Sequence, residues 1–354
     1  HGLGHAVRSL EVIRCLLAIE ADLQITVVSD IPERFIAQCV GKPLPFRRRQ
    51  LDVGLVQEDS VRFDLGATKR ALKSLFLNHD GLIEEELAFF REESIQAIVS
   101  DIAFLPFYAA SRYAIPGIGL SNFTWDWIYA DYARSDPSWE PIIEWIREGY
   151  KQCALLLQLP MHGDCTSCPH IRDVPLVARK AARTRTETLD MLGCDPHEKS
   201  YLISFSQLNL DDRALRKIEQ IDGAVFFFKH PLRLDFANGR SLDAFDLSYP
   251  DVVAAMDAVI TKPGYGIVSD CLAHGAPIVY TDRGPFPEYD ILVAKIERHL
   301  TNVYLPSQDL YSGSWEGALQ EITGMARRCP TIRDDGAVIC AEYIIDAFKD
   351  RICS

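Results

Sequence analysis

The sequence predicts an α/β protein with two parallel, doubly wound domains. Short apolar and partly β-branched runs alternate with segments of helical periodicity along most of the chain, a pattern typical of βαβ units. A glycine-rich turn accompanies the start of a helix in each half of the sequence, at residues 2–5 and 263–266. The length of 354 residues suits two domains that each bury a core of their own.

Hydrophobic periodicity assigns the individual elements. In residues 6–19, for example, Ala6, Leu10, Ile13 and Leu17 share one face of a helix. Buried or extended strands are predicted at residues 23–29, 47–56, 96–100, 117–121, 154–159, 201–205, 224–229, 258–261 and 278–280. Helices are predicted at residues 6–19, 65–77, 80–93, 106–113, 140–150, 180–192, 211–220, 249–256, 267–274, 309–328 and 337–351, and two more begin near residues 30 and 123.

A break in this alternation marks the boundary between the domains. Residues 160–175 are rich in Pro, His, Cys and Gly, a composition typical of loops. We therefore expect an N-terminal domain at residues 1–165, a linker at 166–178, a second domain at 179–330 and a terminal helix at 331–354. Because no strand precedes the first glycine turn, we expect the first domain to lack its first strand.

The amino-acid composition limits which binding partners and which cellular compartment are expected for this protein. A net charge of −13 argues against nucleic acid as the main partner, because phosphate backbones need a basic surface. No apolar run in the sequence is long enough to span a bilayer. The ten cysteines are scattered and do not form the dense framework of a small secreted domain. We expect free thiols in a reducing compartment, the cytoplasm.

Four potential zinc ligands lie in one short segment, namely His162, Cys165, Cys168 and His170. Thiolate and imidazole groups are the usual ligands of structural zinc. Such sites normally use two separated pairs of ligands, whereas these four residues are contiguous. We therefore interpret this segment as a plain loop, and a zinc site is the alternative.

The segment 257–280 predicts a strand, a glycine turn, a helix and a second strand. Gly264 and Gly266 permit positive φ or the close approach of a ligand, and the helix that follows favours a phosphate at its N-terminus. Gly275 is placed as the C-cap of that helix. Asp270, four residues after the second glycine, could face a ribose. A turn that serves packing alone is the alternative.

His5 and Asp101 form the candidate catalytic pair of the first domain. His5 lies where a helix begins, and a helix N-terminus favours neutral imidazole, the form that acts as a general base. Asp101 ends a predicted strand, and strand ends converge on one edge of a parallel sheet, so its carboxylate could fix the tautomer of the imidazole. The alternative for each residue is a helix cap.

Five motifs carry a resemblance to a known family: Gly2-Leu-Gly-His-Ala-Val-Arg8, Val99-Ser-Asp101, Ser121-Asn-Phe-Thr-Trp-Asp-Trp-Ile-Tyr-Ala130, Asp173-Val-Pro-Leu-Val-Ala-Arg179 and Lys262-Pro-Gly-Tyr-Gly-Ile-Val-Ser-Asp270. The chain resembles the GT-B glycosyltransferases, the class that includes MurG and the UDP-glycosyltransferases. Within this class it is most similar to the glycosyltransferase-like N-terminal region of arabinokinases and to the stand-alone bacterial relatives of that region. The resemblance covers nearly all of residues 1–350.

The resemblance implies two Rossmann-like domains that face each other across a cleft, and inverting transfer of a sugar from a UDP-linked donor to a hydroxyl acceptor. His5 falls on the catalytic base of the UDP-glycosyltransferases and Asp101 on its partner. No organic cofactor is implied. Because no two aspartates are separated by one residue, the Asp-x-Asp metal clamp of the other large glycosyltransferase fold is absent, and we expect metal-independent transfer. The residues assigned to the donor are Gly2, Gly4, Ser206, Lys262, Gly264, Tyr265, Gly266, Ser269, Asp270 and Glu288.

The sequence departs from these families on the donor side. Asp270 replaces the glutamate that binds ribose in MurG-type enzymes. Residues 204–207 read Ser-Phe-Ser-Gln, where those enzymes carry a Gly-Gly-Ser loop, and the donor-sugar region keeps only the carboxylate Glu288. The phosphate-binding Gly-x-x-x-x-Gly-Lys-Ser/Thr loop of P-loop kinases is missing from the sequence, so kinase activity is not expected.

Two other functions stay open at this point. The chain could be a non-catalytic domain that binds nucleotide sugars, or a UDP-sugar 2-epimerase, which uses a similar two-domain fold with additional carboxylates. The acceptor is not determined. Trp125, Trp127 and Tyr129 either stack on a sugar or belong to the core.

Overall fold

The computed structural model describes residues 3–57, 63–195 and 197–352, so Gly2 lies outside the described residues. Two compact units make up the chain. The first comprises His1–Val56, Asp64–Val177 and Arg333–Ser354, and the second comprises Gln57–Phe63 and Ala178–Ile332. The C-terminal residues, predicted as a separate helix, are therefore part of the first unit.

Parallel strands and helices alternate in both units. The strands are β1 (Val27–Ser29), β2 (Phe46–Arg48), β3 (Ile98–Ser100), β4 (Gly117–Ser121), β5 (Leu155–Gln158), β6 (Ile171–Asp173), β7 (Lys199–Ser204), β8 (Ala224–Phe228), β9 (Gly239–Ser241), β10 (Ala258–Thr261), β11 (Ile278–Tyr280) and β12 (Asn302–Tyr304). The α-helices are α1 (Leu3–Ile19), α2 (Glu33–Val40), α3 (Leu65–Leu77), α4 (His79–Glu92), α5 (Leu105–Tyr113), α6 (Trp125–Ala133), α7 (Glu140–Tyr150), α8 (Arg185–Met191), α9 (Asp212–Glu219), α10 (Tyr249–Ala255), α11 (Tyr265–His274), α12 (Glu288–His299), α13 (Ser307–Tyr311), α14 (Glu316–Gly324) and α15 (Gly336–Ile352).

The first unit contains two parallel sheets. Strands β1 and β2 pair with each other, and the second sheet has the order β3-β4-β5-β6. Strand β4 is buried along its whole length, and a Cβ at Gly119 would lie 2.8 Å from Leu156 of the neighbouring strand. Strand β4 therefore packs closely against β5 within this sheet. The C-terminal helix α15 packs against α1.

The second unit is built on one parallel sheet with the order β12-β11-β10-β7-β8-β9. Strands β8 and β10 are fully buried, as expected for central strands covered on both faces. Trp315 is 0% exposed, and its ring packs edge-on against Phe226 with 5.8 Å between centroids. The central strands β10 and β7 end at the same edge, because their parallel register aligns Thr261 with Ser204.

The α/β class is confirmed, and several predicted boundaries are wrong. The helix predicted at 309–328 is two helices, because Gly313 has φ of +70° and ends α13 in the left-handed region. The helix predicted from residue 180 begins only at Arg185, where Thr184 and Glu187 form a capping box. The predicted linker 166–178 contains β6, which pairs with β5.

The aromatic cluster belongs to the core of the first unit. Trp125 and Tyr129 are 3% and 1% exposed, and their rings stack 5.5 Å apart. Trp125 Nε1 donates to Asp52, and Tyr129 Oη donates to the carbonyl of Gly54. Burial of this depth leaves no ring face of these two residues open to a sugar, so the core interpretation applies to both. Trp127 lies against the backbone of Gly163.

None of the helices in the described part of the chain has the length and apolar character that a membrane span needs.

Candidate active site

His5 and Asp101 lie within hydrogen-bonding distance in the first unit. His5 is in the first turn of α1, and Asp101 directly follows β3. The distance from His5 Nδ1 to Asp101 Oδ1 is 2.8 Å. Their side chains are 23% and 7% exposed. The helix N-terminus and the strand end thus bring together the two groups that the sequence pairs.

Neither residue serves as the helix cap that the alternative interpretation requires. Helix α5 begins at Leu105 with Phe104 at the N-cap position, so Asp101 does not cap it. Gly4 and His5, which the sequence places in a turn, belong to α1 instead. His5 therefore lies inside the first turn of the helix.

Arg8 completes the cluster and is not among the residues predicted from the sequence. Its guanidinium donates from Nε to Asp101 Oδ2 at 2.7 Å and from Nη2 to Asp101 Oδ1 at 2.6 Å. Its Nη1 donates to Asn122 at 2.7 Å, and Nη2 approaches Ser121 at 3.3 Å. Ser9 adds a further hydrogen bond to Asp101 Oδ2 at 2.7 Å. A charged residue one helical turn after His5 was the available signal.

These contacts keep Asp101 ionised. Burial opposes the charged carboxylate, but the positive charge of Arg8, the imidazole of His5 and their hydrogen bonds outweigh it, so the pKa of Asp101 lies far below its ordinary value. An ionised Asp101 accepts a hydrogen bond from His5 when Nδ1 carries the hydrogen, and in that tautomer Nε2 is the basic nitrogen of the ring. The edge of the ring also meets Phe123, with 5.6 Å between centroids.

In the second unit, the glycine turn lies between β10 and α11. Gly264 is the N-cap of α11 and has φ of −141°, so its backbone does not require glycine. A Cβ placed there would meet nothing within 4 Å. The turn expected at 263–266 is also shorter, because Tyr265 and Gly266 already belong to the helix. Gly275 caps the other end with φ of +59°, as predicted.

Asp270, predicted to bind ribose, is held by an arginine that the sequence does not single out. Arg179 Nη2 donates to Asp270 Oδ2 at 2.7 Å, and the two side chains are 20% and 6% exposed. The backbone N–H of Ala181 donates to His274 Nε2 at 3.0 Å. The segment that carries Arg179 is therefore fixed to the same helix as Asp270.

Glu288 has a similar arrangement. It is the first residue of α12, is 2% exposed, and accepts from Arg283 Nη1 at 2.9 Å. The same nitrogen also lies 2.9 Å from the carbonyl of Pro263. Arg283 therefore joins the loop after β11 to the glycine turn after β10. It was also not predicted, because an arginine in a loop has no pattern that distinguishes it from a surface residue.

The remaining donor residues differ in exposure. Ser206 is exposed in the loop after β7, and Lys262 is half-buried. Tyr265 and Ser269 are buried in α11. Ser269 Oγ is enclosed without a protein partner. The structure thus gathers part of the predicted donor set around the start of α11.

The cysteine and histidine segment does not form a metal centre in the described residues. Within them, no group of three or more His, Cys, Asp or Glu side chains is arranged to hold a metal ion. Cys165 and Cys168 are buried free thiols, and burial raises the pKa of Cys165 to about 12.

Comparison with solved structures defines the class of fold. The calicheamicin glycosyltransferase superposes with a TM-score of 0.63 at 14% identity, covering 100% of this chain and 97% of that one. A UDP-glucosyltransferase from Polygonum tinctorium superposes with a TM-score of 0.61 at 12% identity, covering 99% and 97%. The predicted GT-B fold is therefore confirmed.

Comparison of the sequence with those of known proteins identifies one relative in particular. The chain is 29% identical over 363 residues to L-arabinokinase of Arabidopsis thaliana. The match covers 100% of this chain and 34% of that protein, so the chain spans about a third of the relative's length. The predicted resemblance to arabinokinases is confirmed. No protein-family model matches the chain.

Proposed function

We propose that this chain is a nucleotide-sugar glycosyltransferase that moves a sugar to a hydroxyl acceptor. The observation that carries the proposal is the contact of 2.8 Å between His5 Nδ1 and Asp101 Oδ1 in a chain with the GT-B fold. An imidazole oriented through Nδ1 by an ionised carboxylate has the arrangement of a general base.

In this proposal the first unit activates the acceptor. Nε2 of His5 removes the proton of the acceptor hydroxyl while the oxygen attacks the anomeric carbon of the donor sugar. Attack from the face opposite the departing diphosphate inverts the configuration of that carbon. Asp101 holds the imidazole in the required tautomer and stabilises the proton that it gains.

The second unit holds the donor. Backbone N–H groups of the first turn of α11 and the helix dipole stabilise the charge that develops on the leaving diphosphate. The open space at Gly264 lets the diphosphate approach the backbone closely. Asp270, oriented by Arg179, accepts from ribose, and Glu288 contacts the donor sugar. We propose a UDP-linked donor and a reaction without a metal ion.

A second function has its own supporting observation. Arg8 donates twice to Asp101 and so lowers the basicity of His5, which makes His5 a weaker base although it stays unprotonated. A chain that binds nucleotide sugars without turning them over, as part of a longer regulatory or biosynthetic protein, is consistent with that arrangement. A chain that spans a third of a longer relative also fits this function.

Cytoplasmic localisation stays a prediction from the sequence.

Binding and turnover measured on the same protein separate the two functions. Calorimetry with a panel of UDP-, dTDP- and GDP-sugars tests binding, and release of the nucleoside diphosphate in the presence of an acceptor library tests transfer. We expect His5→Ala to lower turnover by about 100-fold or more while the affinity for the donor is retained. The matched control is His162→Ala, which alters an exposed histidine of the same unit.

The outcomes are distinct. Turnover that is unchanged in His5→Ala excludes His5 as the base. Binding with no turnover for any acceptor supports the non-catalytic function. Interconversion of a UDP-sugar with no acceptor present would instead indicate an epimerase.

A further inference from the structure

We propose that Arg8 is a positioning residue that shares the carboxylate of Asp101 with His5 and thereby keeps the imidazole neutral. The inference rests on the proposed function only for its kinetic consequence, since the contacts themselves lie in the described structure. It concerns a residue to which the resemblance assigns no role.

One carboxylate oxygen and two nitrogen atoms lie at the corners of a small triangle. Asp101 Oδ1 lies 2.8 Å from His5 Nδ1 and 2.6 Å from Arg8 Nη2, and the two nitrogens are 3.0 Å apart. The guanidinium has donors only, so it cannot accept a proton from the imidazole. An unprotonated Nδ1 would accept from Arg8 Nη2. When Nδ1 carries its hydrogen, that hydrogen is directed at Asp101 Oδ1, and His5 then shares its acceptor with a permanent cation.

The guanidinium is fixed in this position. Arg8 is 4% exposed, its Nη1 is bound by Asn122, and its Nη2 also approaches Ser121. These contacts come from the last residue of β4 and the residue that follows it. Arg8 cannot leave the cluster without breaking a bidentate charged pair and exposing a buried charge.

The charge balance of the cluster gives the functional consequence. A histidine beside an aspartate alone forms a neutral ion pair when it gains a proton. In this cluster Arg8 already neutralises Asp101, so a protonated His5 would leave one net positive charge in a largely buried site. Like charges at this distance disfavour protonation. Arg8 therefore keeps the base available at lower pH than Asp101 alone would allow.

Several neighbours of the cluster are uncharged or are paired elsewhere. From the end of β4 and the loop after it, the described contacts are those of Ser121, Asn122 and Phe123, all uncharged. From α15, Cys340 lies near Arg8, and burial raises the pKa of its thiol to about 12, so it is neutral. On α1, the carboxylate of Glu11 is engaged by Arg14.

A cycle of substitutions on the full chain tests the proposal directly. The titration of His5 is followed by NMR with labelled histidine, and its signal is assigned by its loss in His5→Gln. We expect the midpoint to rise by about one pH unit or more in Arg8→Gln and to fall in Asp101→Asn. In the double variant the two opposite effects cancel, and we expect a midpoint near that of the wild type.

The cycle remains informative if one variant folds poorly. Arg8→Gln leaves Asp101 without its main partner and is the variant most prone to unfold, so circular dichroism is recorded at each pH. Asp101→Asn and the double variant leave no buried carboxylate in the cluster. The double variant differs from Asp101→Asn only by the loss of Arg8. We therefore expect a higher midpoint of the His5 titration in the double variant than in Asp101→Asn. A midpoint that is unchanged or lower on removal of Arg8 in both backgrounds overturns the proposal.

Kinetics separate this inference from the proposed function. If His5 is the base, the acid limb of the profile of kcat/KM against pH should move upward in Arg8→Gln by the shift seen in the NMR titration. A purely structural role for Arg8 would lower kcat/KM without moving this limb. If no acceptor gives turnover but the midpoints move as expected, the proposed function fails and the inference stands. If turnover depends on His5 but the midpoints do not move, the inference fails and the function stands.

Discussion

Arg179 and Asp270 form a charged pair, with Arg179 Nη2 lying 2.7 Å from Asp270 Oδ2. Asp270 is the carboxylate that the sequence assigns to ribose, and it is 4% exposed. Glu288, assigned to the donor sugar, is paired with Arg283 in the same way. Each predicted donor carboxylate thus has an arginine that limits its rotation. Carboxylates that are already held in place lose less side-chain entropy when a ligand binds, so both pairs should favour the binding of a donor.

Asp270→Asn tests the proposed contact with ribose. The amide keeps the size of the side chain but weakens it as an acceptor, and it loses the charged pair with Arg179. We expect the affinity for a nucleotide sugar to fall about tenfold or more, the size of one charged hydrogen bond. Calorimetry measures the change, and Asp222→Asn, which alters an exposed aspartate of the same unit, is the control. Equal affinities for the two variants would remove Asp270 from the site.

Gly264→Ala separates binding from folding. The backbone of Gly264 is extended, and a Cβ there meets nothing within 4 Å, so we expect the thermal midpoint to stay close to that of the wild type. If the diphosphate occupies this open space, the added methyl group should lower donor affinity by about tenfold or more, because it obstructs the close approach.

Gly317→Ala is the matched control for that experiment. A Cβ at Gly317, in α14, also meets nothing within 4 Å, but this helix carries no predicted donor residue. We expect donor affinity to be unchanged in Gly317→Ala. Wild-type affinity in Gly264→Ala as well would argue against a diphosphate at the turn.

The substitution Gly313→Ala tests why the predicted helix at 309–328 is interrupted. Its φ is +70°, and a Cβ would lie 2.3 Å from the carbonyl oxygen of Ala214. Both the backbone conformation and the contact exclude a side chain, so Gly313→Ala should destabilise the second unit by about 3 kcal/mol or more. Urea unfolding measures the loss. Gly317→Ala should instead lie within about 1 kcal/mol of the wild type. Equal stability of the two variants would contradict the packing seen at Gly313.

Periodicity predicts elements well where one local pattern decides them. Strand β10, the helix α11 and its cap at Gly275 follow from a buried run, helical spacing and a glycine, all close in sequence. The short strands β6, β9 and β12 do not, because they contain polar residues and no buried apolar run, and their pairing depends on distant partners. The break at Gly313 depends on Ala214, which lies far away in sequence.

The same distinction applies to the candidate site. His5 and Asp101 could be paired from the sequence because each marks the end of an element at a shared sheet edge. Arg8, Arg179 and Arg283 could not be assigned partners in this way. Arg8 and Arg179 pair with carboxylates that are distant in sequence. Arg283 pairs with a nearby carboxylate, but it lies in a loop that has no periodic pattern. A lone arginine in a sequence is most often exposed.

His79 gives the first unit a predicted pH dependence of stability. Its Nδ1 accepts a hydrogen bond from Trp145 Nε1 at 3.0 Å, which requires a neutral ring. Burial lowers the pKa of His79 below its ordinary value of 6.5, with Asp80 opposing and Arg112 adding to the shift. The folded state therefore binds fewer protons than the unfolded state just below pH 6.5.

The stabilising effect of neutral His79 is complete above pH 6.5 and is lost as the pH falls from there towards the folded-state pKa. We expect the thermal midpoint of the wild type to fall more steeply between pH 7.5 and 5.5 than that of His79→Gln, whose amide oxygen accepts from Trp145 without titrating. Differential scanning calorimetry in a series of buffers gives the two slopes. His162→Gln, which replaces an exposed histidine of the same unit, should keep the slope of the wild type. If His79→Gln keeps that slope too, the hydrogen bond does not hold His79 neutral, and the acid sensitivity of this unit has another origin.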